Sequence, residues 1–446
     1  MTGREPDRFS YIDALRGWAI LLVLLTHAAQ GRMAAEALSQ AAPHSPVLDL
    51  PSWLQQICAH AGSGVHLFFV VSALSLALSA RKRREHGLGA YVIRRFCRIA
   101  PMFYAGIALY LALFGWGPRL YAPDGIGPGD VALTFGLLHI WSTNALNSVV
   151  PGDWSVGVEV MFYLILPLLL LIGRAPVRLA ALTLGFVLMA QTIHWIGAGF
   201  GPFGNPGFPS QSVVFLFGLI AAKAVEWKRF GSSPSPALRE SARESAAFRL
   251  RKEATRQARR RVVSVSEPDE GPARQRRNED SRDFASGSTL TLPLRGSPLP
   301  QCGRGVLAMC VFLFLVAGLP LWHLPEIILV YHVQFAALAA LLCILLHRVP
   351  GPILVNRALA GIGRISFSMY ILQFALFTPV FGLAEKLAGR AASGSETLAL
   401  YYPLLVGATA ACAAVTYAAI ERPGMRLGRL LILRLQQRGG AIERPV

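Results

Sequence analysis

The sequence predicts an all-α protein, a polytopic transmembrane helical bundle of about ten spans with both termini cytoplasmic. Three observations predict it. The 446 residues are 53% hydrophobic and only 15% charged, with mean hydropathy +0.46, far from the composition of a soluble enzyme. Several apolar runs approach or exceed the ~18 residues that cross a bilayer. The net charge of +18 is confined to short segments between those runs and to one long insert. That distribution fits the positive-inside rule rather than a nucleic-acid-binding face, so no nucleic acid partner is expected.

Spans are expected near 14–30, 64–80, 99–115, 155–173, 179–197, 211–227, 305–322, 327–347, 365–382 and 399–420. The first has acidic residues before it and no small-residue cleavage site, so it is expected to be retained. Arg81, Lys82, Arg83 and Arg84, then Arg94, Arg95 and Arg98, put the connection between spans two and three inside. Arg174 and Arg178, the insert after Lys228, and His347 through Arg364 mark later inside segments. Val131–Ile140 is apolar but short, and counting it as a span would put the basic insert outside. It is therefore read as interfacial or re-entrant.

The chain divides accordingly. Residues 1–227 carry spans one to six, and 305–424 carry spans seven to ten. Between them, 228–304 holds 17 Lys/Arg and 9 Asp/Glu with many Ser and Pro, a composition expected to form a disordered cytoplasmic insert. Residues 425–446 make a basic cytoplasmic tail. The six cysteines are scattered without a CxxC pair, so no metal centre is expected.

Polar residues inside the spans are costly, and each is a candidate for function. In span one, Arg16 and His27 are eleven residues apart, three helical turns plus about 20°, which puts them on one face roughly 16 Å apart. They are read either as an interfacial anchor and a hydrogen-bonded histidine, or as parts of one site. Arg95 and Arg98 share a face at the inner start of span three, so three guanidinium groups can gather there. Such forks suit phosphate oxygens, whereas plain positive-inside anchoring also accounts for arginine there. In span four, Ser155, Glu159 and Tyr163 fall on one face. Glu159 is expected about one turn into the membrane, at the depth of His27, where it could orient the imidazole or make a structural contact between helices. Glu421 is read as pairing locally with Arg422.

Six stretches occur in order along nearly the whole chain apart from the insert. They are DALRGWAILLVLLTH (13–27), GVHLFFVVSA (64–73), YVIRRFCRIAPMFY (91–104), WSVGVEVMFYLILP (154–167), GRISFSMYILQ (363–373) and IERPG (420–424). This set resembles the acyltransferase 3 family of bacterial integral-membrane O-acyltransferases. The chain departs from that pattern at His66, Ala73 and Gln373, where many members have Asp or Gln, Gly, and a second His. The resemblance implies an enzyme of the cytoplasmic (inner) membrane. Such an enzyme transfers an acyl group, usually acetyl, from acyl-CoA to a hydroxyl of a cell-surface or lipid-linked saccharide. It implies His27 and Glu159 as catalytic residues and Arg16, Arg95 and Arg98 as the acyl-CoA site. Asp13, Trp154, Ser155, Tyr163 and Tyr370 are expected in support. The partners expected are acyl-CoA, a saccharide and the bilayer, with acetyl-CoA a donor substrate rather than a bound cofactor. Two other classes fit a bundle of this kind: a glycan or small-molecule transporter or flippase with a His/Glu proton relay, and a scaffold without catalysis.

Overall fold

A computed structural model describes residues 10–36, 48–82, 87–197, 199, 201–202, 204, 206–231, 307–314, 331–348, 351–389 and 392–442. The basic insert expected at 228–304 lies almost wholly outside the described residues. The described chain is helical and contains no strand. Its helices are α1 (Ser10–Ala29), α2 (Arg32–Glu36), α3 (Ser52–Ala61), α4 (Gly64–Lys82), α5 (Gly87–Phe114), α6 (Pro128–Phe135), α7 (Trp154–Ile172), α8 (Pro176–Trp195) and α9 (Phe208–Gly231). There follow α10 (307–314), α11 (Tyr331–Arg348), α12 (Arg357–Ala388), α13 (Gly394–Thr416) and α14 (Arg422–Ile442), with a π-helical turn, Tyr417–Glu421, joining the last two. Among the described residues, nine segments are long and apolar enough to cross a membrane. The tenth expected span, 305–322, is described only over 307–314.

Helix α1 is the axis of the bundle. It packs most extensively on α12 and next on α4. Both approaches are backbone-close. A Cβ on Gly363 of α12 would stand 1.7 Å from the carbonyl oxygen of Asp13, and one on Gly64 of α4 would stand 2.5 Å from that of Ala19. Small residues are the common means of close packing between apolar helices, where lipid removes the usual hydrophobic drive. Because α1 is clamped on two sides, its polar residues are held in fixed register with α4 and α12.

Contacts along each helix give its direction. Gly64 lies at Ala19–Val23 and Ser75 reaches Arg16, so α4 runs antiparallel to α1. Gly363 lies at Gly17 and Phe374 at His27, so α12 runs parallel to it. The Tyr110 hydroxyl near the end of α5 donates to Ile371 O (2.6 Å), while Ser155 at the start of α7 meets Tyr370. The segment between α5 and α7 thus leaves and returns at one end of the bundle. Its one α-helix is the eight-residue α6, about 12 Å long, followed by a 3-10 turn at His139–Trp141. Val131–Ile140 accordingly makes no crossing, as its length suggested.

Contacts with α4 orient α9 and α11 as well. Gln211 of α9 and His332 of α11 both meet His66 near the start of α4, and Phe215 of α9 meets Phe69 further along. Gly218 lies on Val70 and Ala73, so α9 runs alongside α4 in the same sense. Ser63 and His66 face Tyr331 and His332, the first residues of α11. α9 and α11 therefore begin at the same end of the bundle. Phe312 of α10, between them in the chain, rests with its ring 4.6 Å from that of Trp18.

Candidate active site

The first part of the site gathers where α1, α4, α5 and α7 meet. Arg16 is buried; its Nη2 donates to Ser75 Oγ (3.0 Å) and its Nη1 lies 3.6 Å from Asp13 Oδ1. Glu159 Oε1 accepts from Ser72 Oγ at 2.6 Å and from the Tyr163 hydroxyl at 2.5 Å. Tyr91 ties this group down through its hydroxyl, which donates to Tyr163 O (2.9 Å). Arg95 places its guanidinium carbon 5.7 Å from the centre of the Tyr163 ring. Arg16 and Arg98 lie within electrostatic reach of one another and of Glu159 and Asp13. Arg16 and Arg98 are therefore together, Arg95 joins them across the Tyr163 ring, and Asp13 and Tyr163 lie beside them. Nε of Arg16 and of Arg95 has no hydrogen-bond partner, which leaves donors available.

Glu421 joins this group, against the expectation of a local pair with Arg422. It ends the π-helical turn, is 2% exposed, accepts from Ser368 Oγ (2.8 Å) and faces Arg98 and Arg16. The physical reason is the π-turn itself. It carries one extra residue per hydrogen-bonded ring and so redirects the side chain inward.

The second part of the site is a cavity of about 250 Å³ at the other end of α1. His27 lines it from the last turn of α1, with its ring packed on Phe374 (centroids 4.9 Å) and its side chain meeting Gln30. Its Nδ1 has no hydrogen-bond partner. The opposite wall comes from the segment between α5 and α7, cross-braced by its own polar groups. Asp153 Oδ1 accepts from the Asn147 N–H (2.7 Å), and the Trp154 N–H donates to Asn147 Oδ1 (3.3 Å). His139 Nε2 donates to Asp153 O (3.0 Å) and its ring stacks on Phe103. Burial pushes the Asp153 carboxyl up to about 6, against the opposing pull of His139 and of the N–H groups of Asn147 and Val150. Tyr370 fastens this wall to α12: its hydroxyl donates to Gly152 O (2.7 Å) and accepts from Ser155 Oγ (2.8 Å). Gly152 sits at φ 79°, a left-handed conformation that suits glycine and lets its carbonyl meet Tyr370.

A narrow cavity of about 30 Å³, lined by Glu159 and Ser155, lies between the two parts. Val23, Val65 and Tyr370 line both cavities, so they meet at a common wall. Glu159 lines the narrow cavity and not the chamber, whereas His27 lines the chamber and not the narrow cavity. The expected pairing of Glu159 with His27 is therefore corrected: the carboxylate belongs to the arginine group. Equal depth was inferred from distance to the span ends, as if both helices started level. Instead Trp154 already stands at the chamber, and Glu159 lies about 7.5 Å further along α7.

Sequence reasoning missed Gln30 and Arg119 in the chamber and the His139–Asp153 brace behind it. Arg119 and His139 lie in the segment between spans, where nothing in the pattern distinguishes a buried polar residue from a solvated one. Among the described residues, no three His, Cys, Asp or Glu side chains come close enough to hold a metal ion.

The bundle and its site define a class, a multi-span helical membrane protein whose buried arginine group and histidine chamber share one central helix. The chain belongs to the acyltransferase 3 family, described as an acyltransferase domain, which it matches over residues 9–418. It is thus a membrane acyltransferase. No curated protein and no solved structure matches it.

Proposed function

We propose that this protein transfers an acyl group, most readily acetyl, from acyl-CoA to a hydroxyl of a cell-surface or lipid-linked saccharide in the cytoplasmic membrane. The arginine end faces the cytosol, where Arg16, Arg95 and Arg98 hold the phosphates of the donor. The pantetheine arm passes the narrow cavity towards His27, a distance of about 16 Å along α1. His27 takes the proton of the acceptor hydroxyl as its oxygen bonds to the thioester carbonyl carbon. The carbon–sulfur bond then breaks, and the proton passes from the imidazole to the leaving thiolate. Glu159 balances the arginines that hold the donor, while Gln30 and Phe374 orient the imidazole. The observation that carries this reading is the common wall joining the two cavities at Val23, Val65 and Tyr370. A relay transporter would require Glu159 and His27 to exchange a proton, and the Glu159 carboxylate is instead hydrogen-bonded to Ser72 and Tyr163.

Mass spectrometry of surface glycans from cells carrying the wild-type or His27→Ala protein tests the proposal. Acylation should fall by about 10²–10⁴-fold, the range of a lost general base. Unchanged acylation with the variant present at normal level would sink it.

A further inference from the structure

The chamber beside His27 contains a buried charge that no carboxylate among the described residues balances. Arg119 lies between α5 and α6, is 2% exposed and lines the chamber wall. Its Nη1 donates to Ser148 O (3.0 Å) and its Nη2 to Gly115 O (2.6 Å), both neutral carbonyls, and its Nε has no hydrogen-bond partner. No described carboxylate pairs with it, and none lines the chamber. Asp153 is committed elsewhere, to the Asn147 N–H and to His139. The contrast with the arginine end is sharp, since there Asp13, Glu159 and Glu421 stand opposite the guanidinium groups.

A buried guanidinium carries a desolvation penalty that carbonyl dipoles offset only in part. An anion bound in the chamber supplies the missing counter-charge through charge-assisted hydrogen bonds. The remaining lining indicates what carries that anion. Thr26, Gln30 and Asn147 offer hydrogen-bonding groups, while Tyr121 and Trp154 offer aromatic surface. Convergent polar groups beside flat aromatic rings suit a polyhydroxylated ring with an apolar face.

We infer that the chamber is an acceptor subsite for an anionic saccharide, with Arg119 holding its carboxylate or phosphate while His27 addresses a hydroxyl. The inference rests on the acyl-transfer reading above and deepens it. Arg119 is then a specificity-determining residue. Its guanidinium fork meets the anion as well as bridging the two loops.

The test begins with the glycan whose acylation is lost in His27→Ala cells, purified in its deacylated form. It is then treated to reduce carboxyl groups to alcohols or, in a separate arm, to remove phosphates. With wild-type protein, KM for the native glycan should rise at least tenfold after whichever treatment removes its charge, and the responding arm identifies the anion. Arg119→Gln should raise KM for the charged glycan to a similar extent, with no further rise for the neutralised one. Arg119→Lys, which keeps the charge, should retain part of the discrimination. A native glycan without carboxylate or phosphate overturns the inference. So does a wild-type KM indifferent to neutralisation, or an equal penalty from Arg119→Gln on both glycans, the mark of a loop brace alone. The ligand-side arms need no variant, so a poorly folding Arg119→Gln leaves the inference falsifiable. Acylation unchanged in His27→Ala cells overturns the acyl-transfer reading, and this inference with it.

Discussion

The arginine end and the histidine chamber are built from different materials. The arginine end consists of side chains projecting from helices, with Arg16 and Arg98 facing Asp13, Glu159 and Glu421 and with Ser72, Ser75, Tyr163 and Ser368 filling the hydrogen bonds. The chamber takes one wall from α1 and α12 and the other from irregular chain between α5 and α7. That wall is held by backbone–side-chain bonds at Asn147, Asp153 and Gly152. Helices in a bilayer satisfy their own backbone, so polar side chains on them can be given wholly to a ligand. Irregular chain must satisfy its backbone first, and its ligand groups are what remains. The difference separates a site whose shape is set by helix packing from one whose shape is set by loops.

The largest expected effect removes both parts together. Gly363→Leu forces a side chain into the Asp13 carbonyl, where the Cβ alone would stand at 1.7 Å. The monodisperse peak in size-exclusion chromatography should be lost, and a normal peak would show that α1 and α12 are not clamped there. Next in size, Arg98→Gln should raise KM for acyl-CoA about ten- to hundredfold, the worth of a charge-assisted hydrogen bond of roughly 1.5–3 kcal/mol, while KM for the acceptor stays within about twofold. A larger shift in acceptor KM would break the division of labour between the two ends.

Glu159→Gln sharpens the comparison further. The amide keeps an oxygen for Ser72 and Tyr163 but leaves Arg16 and Arg98 short of a counter-charge, so the Tm should fall by several degrees. The pH dependence of kcat should stay in place. A carboxylate paired directly with His27 would instead move it by about a unit or more. The last effect concerns the chamber wall and is read as a pH dependence. Asp153 is raised from 3.8 to about 6, so below about pH 4 it is neutral both folded and unfolded and carries no penalty. Between about pH 4 and 6 the unfolded chain ionises this carboxyl while the dry site resists, a cost that reaches up to about 3 kcal/mol above about pH 6. Asp153→Asn lacks this titration, so the wild-type Tm minus the variant's should fall between about pH 4 and 6.5 and level off above it. A flat difference would remove the carboxyl from the account of the wall.

Much of the fold was legible because membrane spans are local. About eighteen apolar residues report a span whatever lies beside it, and the brevity of Val131–Ile140 was visible for the same reason. The grouping of Arg16, Arg95 and Arg98 was also readable, since helical periodicity places Arg95 and Arg98 on one face and basic flanks indicate which ends are level. Glu159 was assigned to the wrong partner because depth along one helix says nothing about the neighbouring helix's vertical offset. Glu421 was misread because a π-turn leaves no periodic signature. Arg119 gave no signal because an arginine between spans looks the same whether it is solvated or walled in by Ser148 and Gly115.

By itself, then, the sequence determined which segments are helices, which of them are apolar enough to cross, and that Arg16 and His27 share a face eleven residues apart. These follow from bond geometry and hydrophobicity within single segments. Only the tertiary structure decided that Glu159 serves the arginines, that Glu421 joins them, and that His27 opens into a separate chamber walled by Arg119 and Trp154. Those outcomes depend on how far one helix slides against another. Backbone contacts at Gly363 and Gly64 set that offset, through packing between residues hundreds of positions apart in one case and dozens in the other.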